Sequence, residues 1–366
     1  MWIAAACSHC RRNWVSAPRW WLQTFWKPSN RSERALFDNN KIALGLLAGA
    51  LPLALVAALL SGPVNIDFAA ALQQGWRSEN SDAVILWQLR LPRALLAILV
   101  GAALGMGGAA MQGMLRNPLA EPALLGVSSG AALAAILLLY YGLAWQSGWW
   151  LPLLAIGGAF IAVLSVWLLA GRGASASRLV LAGVAINAFL SALMALALNY
   201  APSMFAMQEI VFWLLGSLAN RGWDQLLLAL PFILAGGLLL FASRNYLRAL
   251  TLGEATAVSL GFGGRRYPLA LLLGIAAAVG AAVAVAGTIG FIGLVVPHLV
   301  RPLVRQDPAR LLWASALCGA LLLLMADIFV LNFVGAQELR IGAVTAFLGA
   351  PFFFWLIVSA RRGGAL

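Results

Sequence analysis

Charged side chains are scarce in this sequence. Only 10% of its 366 residues are Asp, Glu, Lys or Arg, whereas 63% are hydrophobic. Soluble globular chains are closer to half apolar and a quarter charged. A lipid bilayer accepts this much apolar surface, and the apolar runs are continuous, unlike the alternating strands of a membrane β-barrel. The sequence therefore predicts an all-α fold, a polytopic transmembrane helical bundle.

Residues that carry catalytic chemistry are also few. The chain has two His and three Cys, too few for paired haem ligands or a catalytic cluster. The segment Cys7-Ser8-His9-Cys10 has a metal-like spacing, but no second ligand cluster accompanies it, and an unstructured tail explains it better. No GxxxxGK[ST] phosphate-binding loop is present. We therefore expect no enzyme activity, no bound metal and no cofactor in this chain.

The basic residues orient the chain in the membrane. A net charge of +12 would suggest nucleic acid in a soluble protein, but here the basic residues lie between apolar runs, so we expect no nucleic-acid partner. With ten spans and both termini in the cytoplasm, nineteen of the 24 basic residues lie inside. The other five lie outside, namely Arg77, Arg90, Arg93, Arg221 and Arg340. Without the short span 288–304, Arg361 and Arg362 would move outside. The apolar stretches are 42–61, 93–114, 123–141, 150–170, 179–199, 226–243, 268–286, 288–304, 311–331 and 341–360.

The sequence divides into a basic, Trp-rich cytoplasmic extension, residues 1–41, and a ten-helix transmembrane domain, residues 42–366. The extension suits an amphipathic segment lying on the membrane, and it suits a disordered one equally. Small residues spaced like Gly101 and Gly105 predict that the second span is central in the bundle. Residues 205–218 predict a short outer helix, either a gate or a packing element. Asp327 is either a hydrogen-bonded packing residue or a relay.

Several motifs stand in a fixed order between the predicted helices. They are Arg90-Leu-Pro-Arg93, Arg116-Asn-Pro-Leu-Ala-Glu-Pro122 with Leu125-Gly-Val-Ser-Ser-Gly-Ala131, Leu252–Gly261, Gly287–Arg301 and Gly342–Pro351. From about residue 42 to the C-terminus, this set resembles the permease family of type II ATP-binding-cassette importers for vitamin B12, haem and iron–siderophores. Any single motif would be weak; the ordered set is specific.

The resemblance implies an assembly in the bacterial inner membrane. Two permease copies would pair around a central pathway, with two ATPase subunits on the cytoplasmic face and a periplasmic substrate-binding protein outside. ATP and Mg would be bound by the ATPase subunits. A gradient-driven secondary transporter is disfavoured by the few intramembrane charges, and a non-transporting membrane scaffold also stays open. Haem, an iron–siderophore and cobalamin are not separated by the sequence.

The resemblance also implies roles for individual residues. The predicted ATPase-coupling residues are Leu252, Gly253, Glu254, Ala255, Ala257, Leu260 and Gly261, which otherwise form a connecting helix on the membrane surface. Gly253 and Gly261 would allow tight turns, and Ala255, Ala257 and Leu260 would offer a small apolar face. The predicted inner gate comprises Asn117, Leu119, Ala176 and Ser177. Binding-protein docking is predicted for Arg90, Arg93 and Arg340, which otherwise cap helices or meet lipid headgroups. The chain departs from the family pattern at Leu331, where many members have Arg, and at Arg340, where they have Pro.

Overall fold

The protein is entirely helical wherever its structure is described. The computed structural model describes residues 31–76, 78, 80–140, 149–171, 175–201, 203–333 and 339–363. It describes only the backbone at residues 31–43, 140, 355–357 and 359–363. Within these residues there are fourteen helices and no strand, so the all-α prediction is confirmed. The helices are α1 (Arg31–Leu60), α2 (Phe68–Gln74), α3 (Ser81–Leu115), α4 (Val127–Tyr140), α5 (Trp150–Ala170), α6 (Ala176–Asn199), α7 (Met204–Leu214), α8 (Trp223–Ala242), α9 (Arg244–Thr251), α10 (Glu254–Ala257), α11 (Arg266–Ala286), α12 (Ile292–Val300), α13 (Pro308–Asn332) and α14 (Ile341–Gly363).

The chain divides into two compact units, Met1–Leu46 and Leu47–Leu366. The predicted Cys7–Cys10 tail and most of the predicted basic extension lie outside the described residues. The boundary between residues 41 and 42 stays a prediction, and α1 runs through it as one helix.

Six helices are long and apolar enough to cross a membrane, namely α3, α5, α6, α8, α11 and α13. Four shorter apolar helices cover Leu44–Leu60, Val127–Leu139, Met204–Leu214 and Ile341–Phe354. Helix α12 has nine residues and is about 14 Å long, about half of a hydrocarbon core of about 30 Å. The total of ten spans therefore stays a prediction.

Helix α3 lies at the centre of the bundle, as its glycines predict. A side chain at Gly101 would meet the carbonyl oxygen of Gly319 on α13 at 2.2 Å, and one at Gly108 would meet the carbonyl oxygen of Gly293 on α12 at 1.9 Å. A side chain at Gly107 would meet Val279 of α11 at 2.4 Å. In lipid the hydrophobic effect does not drive helices together, so close packing through small residues stabilises their association instead.

Helix α3 begins earlier than its apolar run predicts. The run starts near residue 93, whereas the helix starts at Ser81, with Asn80 as N-cap and a π-helical stretch over Ile85–Arg90. The Asn80 carboxamide oxygen accepts from the backbone N–H of Asp82 at 3.1 Å. This added length carries Trp87, whose indole N–H donates to the carbonyl of Ala71 on α2 at 3.2 Å. The helix α2 was not predicted, because its apolar stretch, within a helix of seven residues, is far too short to indicate a span.

Candidate functional site

The segment Leu252–Gly261, called the coupling segment below, makes two sharp turns around α10. Gly253 has φ +103° and Gly261 has φ +91°, a conformation that residues with a Cβ rarely adopt. The prediction that both glycines permit tight turns is confirmed. Glu254 occupies the first position of α10, where a carboxylate interacts favourably with the helix dipole.

Apolar side chains of the coupling segment are exposed. Leu252, Val258 and Leu260 are 64%, 60% and 55% exposed. Ala257 is only 2% exposed, so it faces the protein's interior and not the outer apolar face that the sequence predicts for it. In a helix of four residues, the sequence does not fix which side is buried. Val258, and not Ala257, contributes to the exposed apolar face. Sequence reasoning missed Val258, although its apolar side chain made it a candidate for that face.

The coupling segment is tied to the turn after α3 by an ion pair. The Arg116 guanidinium donates to the Glu254 carboxylate at 3.0 Å. Arg116 is the C-cap of α3, with φ +52°, and it directly precedes the predicted gate residue Asn117. Glu254 also lines a cavity of about 330 Å³, together with Ala257 and Ala176. The coupling segment and the start of α6 therefore share one cavity.

Helix α9, which precedes the coupling segment, is held by an aromatic contact and by an ion pair. Tyr246 of α9 stacks on Tyr267, with ring centroids 5.5 Å apart, and burial together with the Glu254 charge raises the pKa of Tyr246. Arg248 donates to both carboxylate oxygens of Asp307, at 2.8 and 2.6 Å. Burial alone would raise the pKa of Asp307, but the bonds and charge of Arg248 hold it below its ordinary value.

The four predicted gate residues lie on two separate turns. Asn117 and Leu119 share the exposed turn after α3, where the Asn117 carboxamide accepts from the backbone N–H of Leu119 at 2.9 Å. Ala176 and Ser177 form the first turn of α6, and Ser177 is exposed. Ala176 alone of the four lines the cavity beside the coupling segment. The gate role of these residues stays a prediction.

At the predicted outer end, the side chains of Arg90 and Arg93 form hydrogen bonds with other groups of the same chain. Arg90 is buried and donates to the carbonyls of Leu59, at 2.8 Å, and of Val64. Arg93 forms a two-pronged ion pair with the buried carboxylate of Asp327 on α13, with distances of 2.8–3.2 Å. This favours the hydrogen-bonded packing role for Asp327. Docking of a binding protein by Arg90 and Arg93 stays a prediction. Both side chains already bond to groups of this chain.

Arg340 lies beside α7, the predicted short outer helix. Its guanidinium carbon sits 4.5 Å from the centre of the Phe212 ring, a cation–π contact. Both side chains line a cavity of about 590 Å³ that also includes Arg221. Glu338, the acidic neighbour in the departing motif, lies outside the described residues. Sequence reasoning counted Arg221 among the five outer basic residues but gave it no role.

Comparison with known proteins gives four consistent likenesses. The pattern of the FecCD transport family matches residues 50–359. The ABC transporter permease protein YvrB of Bacillus subtilis is 38% identical over 90% of this chain and 98% of its own length. The vitamin B12 import system permease protein BtuC of Citrobacter koseri is 41% identical over 78% of this chain and 86% of its own length. A solved metal-chelate type ABC transporter in an inward-facing conformation is 31% identical, with TM-score 0.74, covering 86% of this chain and 99% of that one.

Proposed function

This chain belongs to the FecCD transport family as an ABC transporter permease, and from that membership we propose that it forms the translocation pathway of an ATP-binding-cassette importer. The substrate is haem, an iron–siderophore or cobalamin, delivered by a periplasmic binding protein. Two copies pair in the bacterial inner membrane with their termini in the cytoplasm. Two separate ATPase subunits bind ATP and Mg, and this chain holds no cofactor.

The exposed apolar side chains of the coupling segment carry the proposal. Leu252, Val258 and Leu260 lie outside the long apolar spans, yet they are largely exposed. Large apolar groups clustered on a surface mark a contact with another protein. Because Glu254 bonds to Arg116 beside the turn of the gate, a partner seated on this segment would act directly on that turn. An ATPase subunit is the partner that the family implies.

Small residues on α6 support the pairing of two copies. Ala185, Ala188, Ala192 and Ala195 are exposed, and their spacing of three and four residues places them along one helix face. Lipid has no preference for small side chains, whereas helices in a membrane meet closely through them. A second copy of the chain is therefore a better neighbour for this face than lipid.

Reconstitution with the ATPase and the binding protein tests the proposal. Proteoliposomes enclosing ATP and Mg should take up the loaded substrate, and a hydrolysis-deficient ATPase should abolish the uptake. Labelled haem, ferric siderophore and cobalamin, each with its binding protein, identify the substrate.

Two other outcomes would replace the proposal. Uptake that needs no ATP and stops when an ion gradient is dissipated would indicate a secondary transporter. No uptake with any substrate, together with no association with an ATPase, would indicate a membrane scaffold.

A further inference from the structure

Two consecutive arginines at the predicted cytoplasmic end are held against aromatic rings. The guanidinium carbon of Arg265 lies 4.3 Å from the centre of the Trp167 ring. That of Arg266 lies 4.8 Å from the centre of the Tyr267 ring, and the Arg266 guanidinium donates to the Tyr267 hydroxyl at 2.9 Å. Both arginines are exposed, and the ion pairs among the described residues include neither of them. The rings therefore position two guanidinium groups whose charges are open to an anion.

Trp167 lies at the edge of an apolar face of α5, which is long and apolar enough to cross a membrane. Ile161, Leu164 and Leu168 are 68%, 45% and 61% exposed, and their spacing of three and four residues places them along one side of the helix. These side chains are large, unlike the small ones on α6, so lipid acyl chains suit this face better than a second copy does. Trp167 comes three residues before the end of α5, and Trp near the end of a span lies at the level of lipid headgroups. Arg265 is therefore held at the depth of a lipid phosphate.

We propose that Arg265 and Arg266 bind the phosphate of an anionic phospholipid, whose acyl chains lie along the exposed apolar face of α5. Arg265 donates to the phosphate oxygens, and Arg266 adds a second positive charge. Trp167 holds Arg265 at the boundary between the headgroups and the acyl chains. Basic residues on the cytoplasmic side of a membrane attract anionic lipids. These groups, Arg265, Arg266, Trp167 and the apolar face of α5, are called the lipid site below.

The lipid site adjoins the cavity of about 330 Å³ beside the coupling segment. Arg265 and Trp167 both line this cavity, and Glu254 is the one carboxylate in its lining. The pairing of Glu254 with Arg116 at 3.0 Å offsets its repulsion of an anion. A soluble phosphate or an acidic side chain of the ATPase would gain from the arginines alone, whereas a phospholipid also covers the apolar face of α5. The combination of charge and apolar surface therefore favours the lipid.

Native mass spectrometry tests the lipid site, because it counts the lipid molecules bound to the full chain released from detergent micelles. The probes are dioleoylphosphatidylglycerol, which is anionic, and dioleoylphosphatidylcholine, which has the same acyl chains and no net charge. The wild-type chain should bind the first molecule of phosphatidylglycerol at least about fivefold more tightly than phosphatidylcholine. Glycerol phosphate, which has the phosphate but no acyl chains, should not displace phosphatidylglycerol at equal concentration.

Matched variants assign the binding to the lipid site. Arg265→Gln should weaken binding of phosphatidylglycerol about fivefold, and the double variant Arg265→Gln with Arg266→Gln should weaken it about twentyfold. Both should leave the affinity for phosphatidylcholine unchanged. Trp167→Leu keeps an apolar side chain, removes the ring that holds Arg265, and should weaken binding of phosphatidylglycerol about threefold. Arg248→Gln removes the same charge at the same end, but its guanidinium is already paired with Asp307, so the affinity should not change. A cooperative melting transition in each variant establishes that it folds.

Equal affinity of the wild-type chain and the double variant for phosphatidylglycerol would overturn the inference, as would equal affinity of the wild-type chain for the two lipids. Displacement of phosphatidylglycerol by glycerol phosphate would overturn it in favour of a site for soluble anions. Normal binding of phosphatidylglycerol by the double variant, together with weaker binding of the ATPase, would assign the arginines to ATPase docking instead. The inference requires only that the chain spans a membrane, so failure of the importer proposal would leave it standing.

Discussion

At the scale of single residues, the pair formed by Arg93 and Asp327 shows how a membrane helix holds a carboxylate. Charged groups are costly at membrane depth unless they are paired. The Asp327 side chain is 2% exposed and that of Arg93 is 19% exposed, so each is the other's main source of stabilisation. Removing one partner leaves the other buried and unpaired, which costs more than the pair contributes.

Asp327→Asn should therefore destabilise the chain by about 3 kcal/mol, measured as a lower melting temperature in nanodiscs. The double variant Arg93→Met with Asp327→Leu should recover most of the loss, since both charges are removed together. Asp224→Asn, at an exposed position, should have no effect. A melting temperature of Asp327→Asn equal to wild type would show that the carboxylate is not held by this pair.

Asp307 makes the attachment of α9 to α13 sensitive to acid. Its pKa is lower in the folded chain than its ordinary value of 3.8. Its contribution to stability is therefore complete above the unfolded pKa and is lost as the pH falls through the lower, folded pKa. Asp307→Asn can still cap α13 through the backbone N–H of Ala309, but it loses the charge pairing with Arg248 and Arg310.

Asp307→Asn should lower the free energy of unfolding at neutral pH by about 1 kcal/mol, measured as a lower melting temperature than wild type. The effect is small because the Arg248 side chain is half exposed, and water weakens its attraction to the carboxylate. The difference should close as the pH falls below about 4. Arg248→Met should remove most of the same pH dependence, which provides the control. A difference that stays constant down to pH about 3 would exclude this carboxylate as its source.

Sequence reasoning predicted the character of these residues better than their partners. It gave Asp327 a hydrogen-bonded packing role as one alternative, because an isolated carboxylate in an apolar run requires one. Arg93 lies 234 residues away in the chain, and no local pattern links the two. The resemblance placed Arg93 in docking instead.

At the scale of helices, long apolar runs predicted the six long apolar helices well, because lipid imposes length and composition on a crossing helix. The short helices were less predictable. The short helix α7 was predicted from a moderately apolar run, whereas α2 and the first turns of α3 lie outside the long apolar runs and begin at the N-caps Asp67 and Asn80. In the coupling segment, two glycines predicted the turns, but the buried side of α10 was assigned wrongly at Ala257.

The two sides of the coupling segment should respond differently to a new charge. Val258→Asp places a carboxylate on the exposed apolar face, so the chain should keep its melting temperature and lose at least about tenfold in affinity for the ATPase. Ala257→Asp buries a carboxylate without a partner and should lower the melting temperature. Thr256→Asp adds the same charge at an exposed polar position and serves as the control, with little change in either measurement.

Association is measured between the ATPase and the chain in nanodiscs by surface-immobilised binding. Normal affinity in Val258→Asp would show that the exposed face is not the contact, and the coupling segment would then be a connecting helix at the membrane surface.

At the scale of the whole molecule, the prediction of ten spans depends on the short helix α12. Its nine residues are too few for a complete span. Irregular backbone is tolerated at membrane depth where other protein groups satisfy it. The residues before α12 meet this condition, because the Thr288 hydroxyl donates to the carbonyl of Leu214 and Ile289 is buried. A crossing made of α12 and its irregular flanks is therefore consistent with the positive-inside distribution of ten spans.

Cysteines on the two flanks of α12 test this crossing, after Cys7, Cys10 and Cys318 have been replaced. Gly290→Cys, where an added Cβ meets nothing within 4 Å, should react with a membrane-impermeant maleimide from the outside. Gln306→Cys, which is exposed, should react only from the cytoplasmic side, in inverted vesicles. Tyr200→Cys and Gly264→Cys give the outer and inner references. If both flanks are labelled from one side, α12 does not cross, α13 and α14 reverse, and Arg361 and Arg362 face the periplasm against the charge rule.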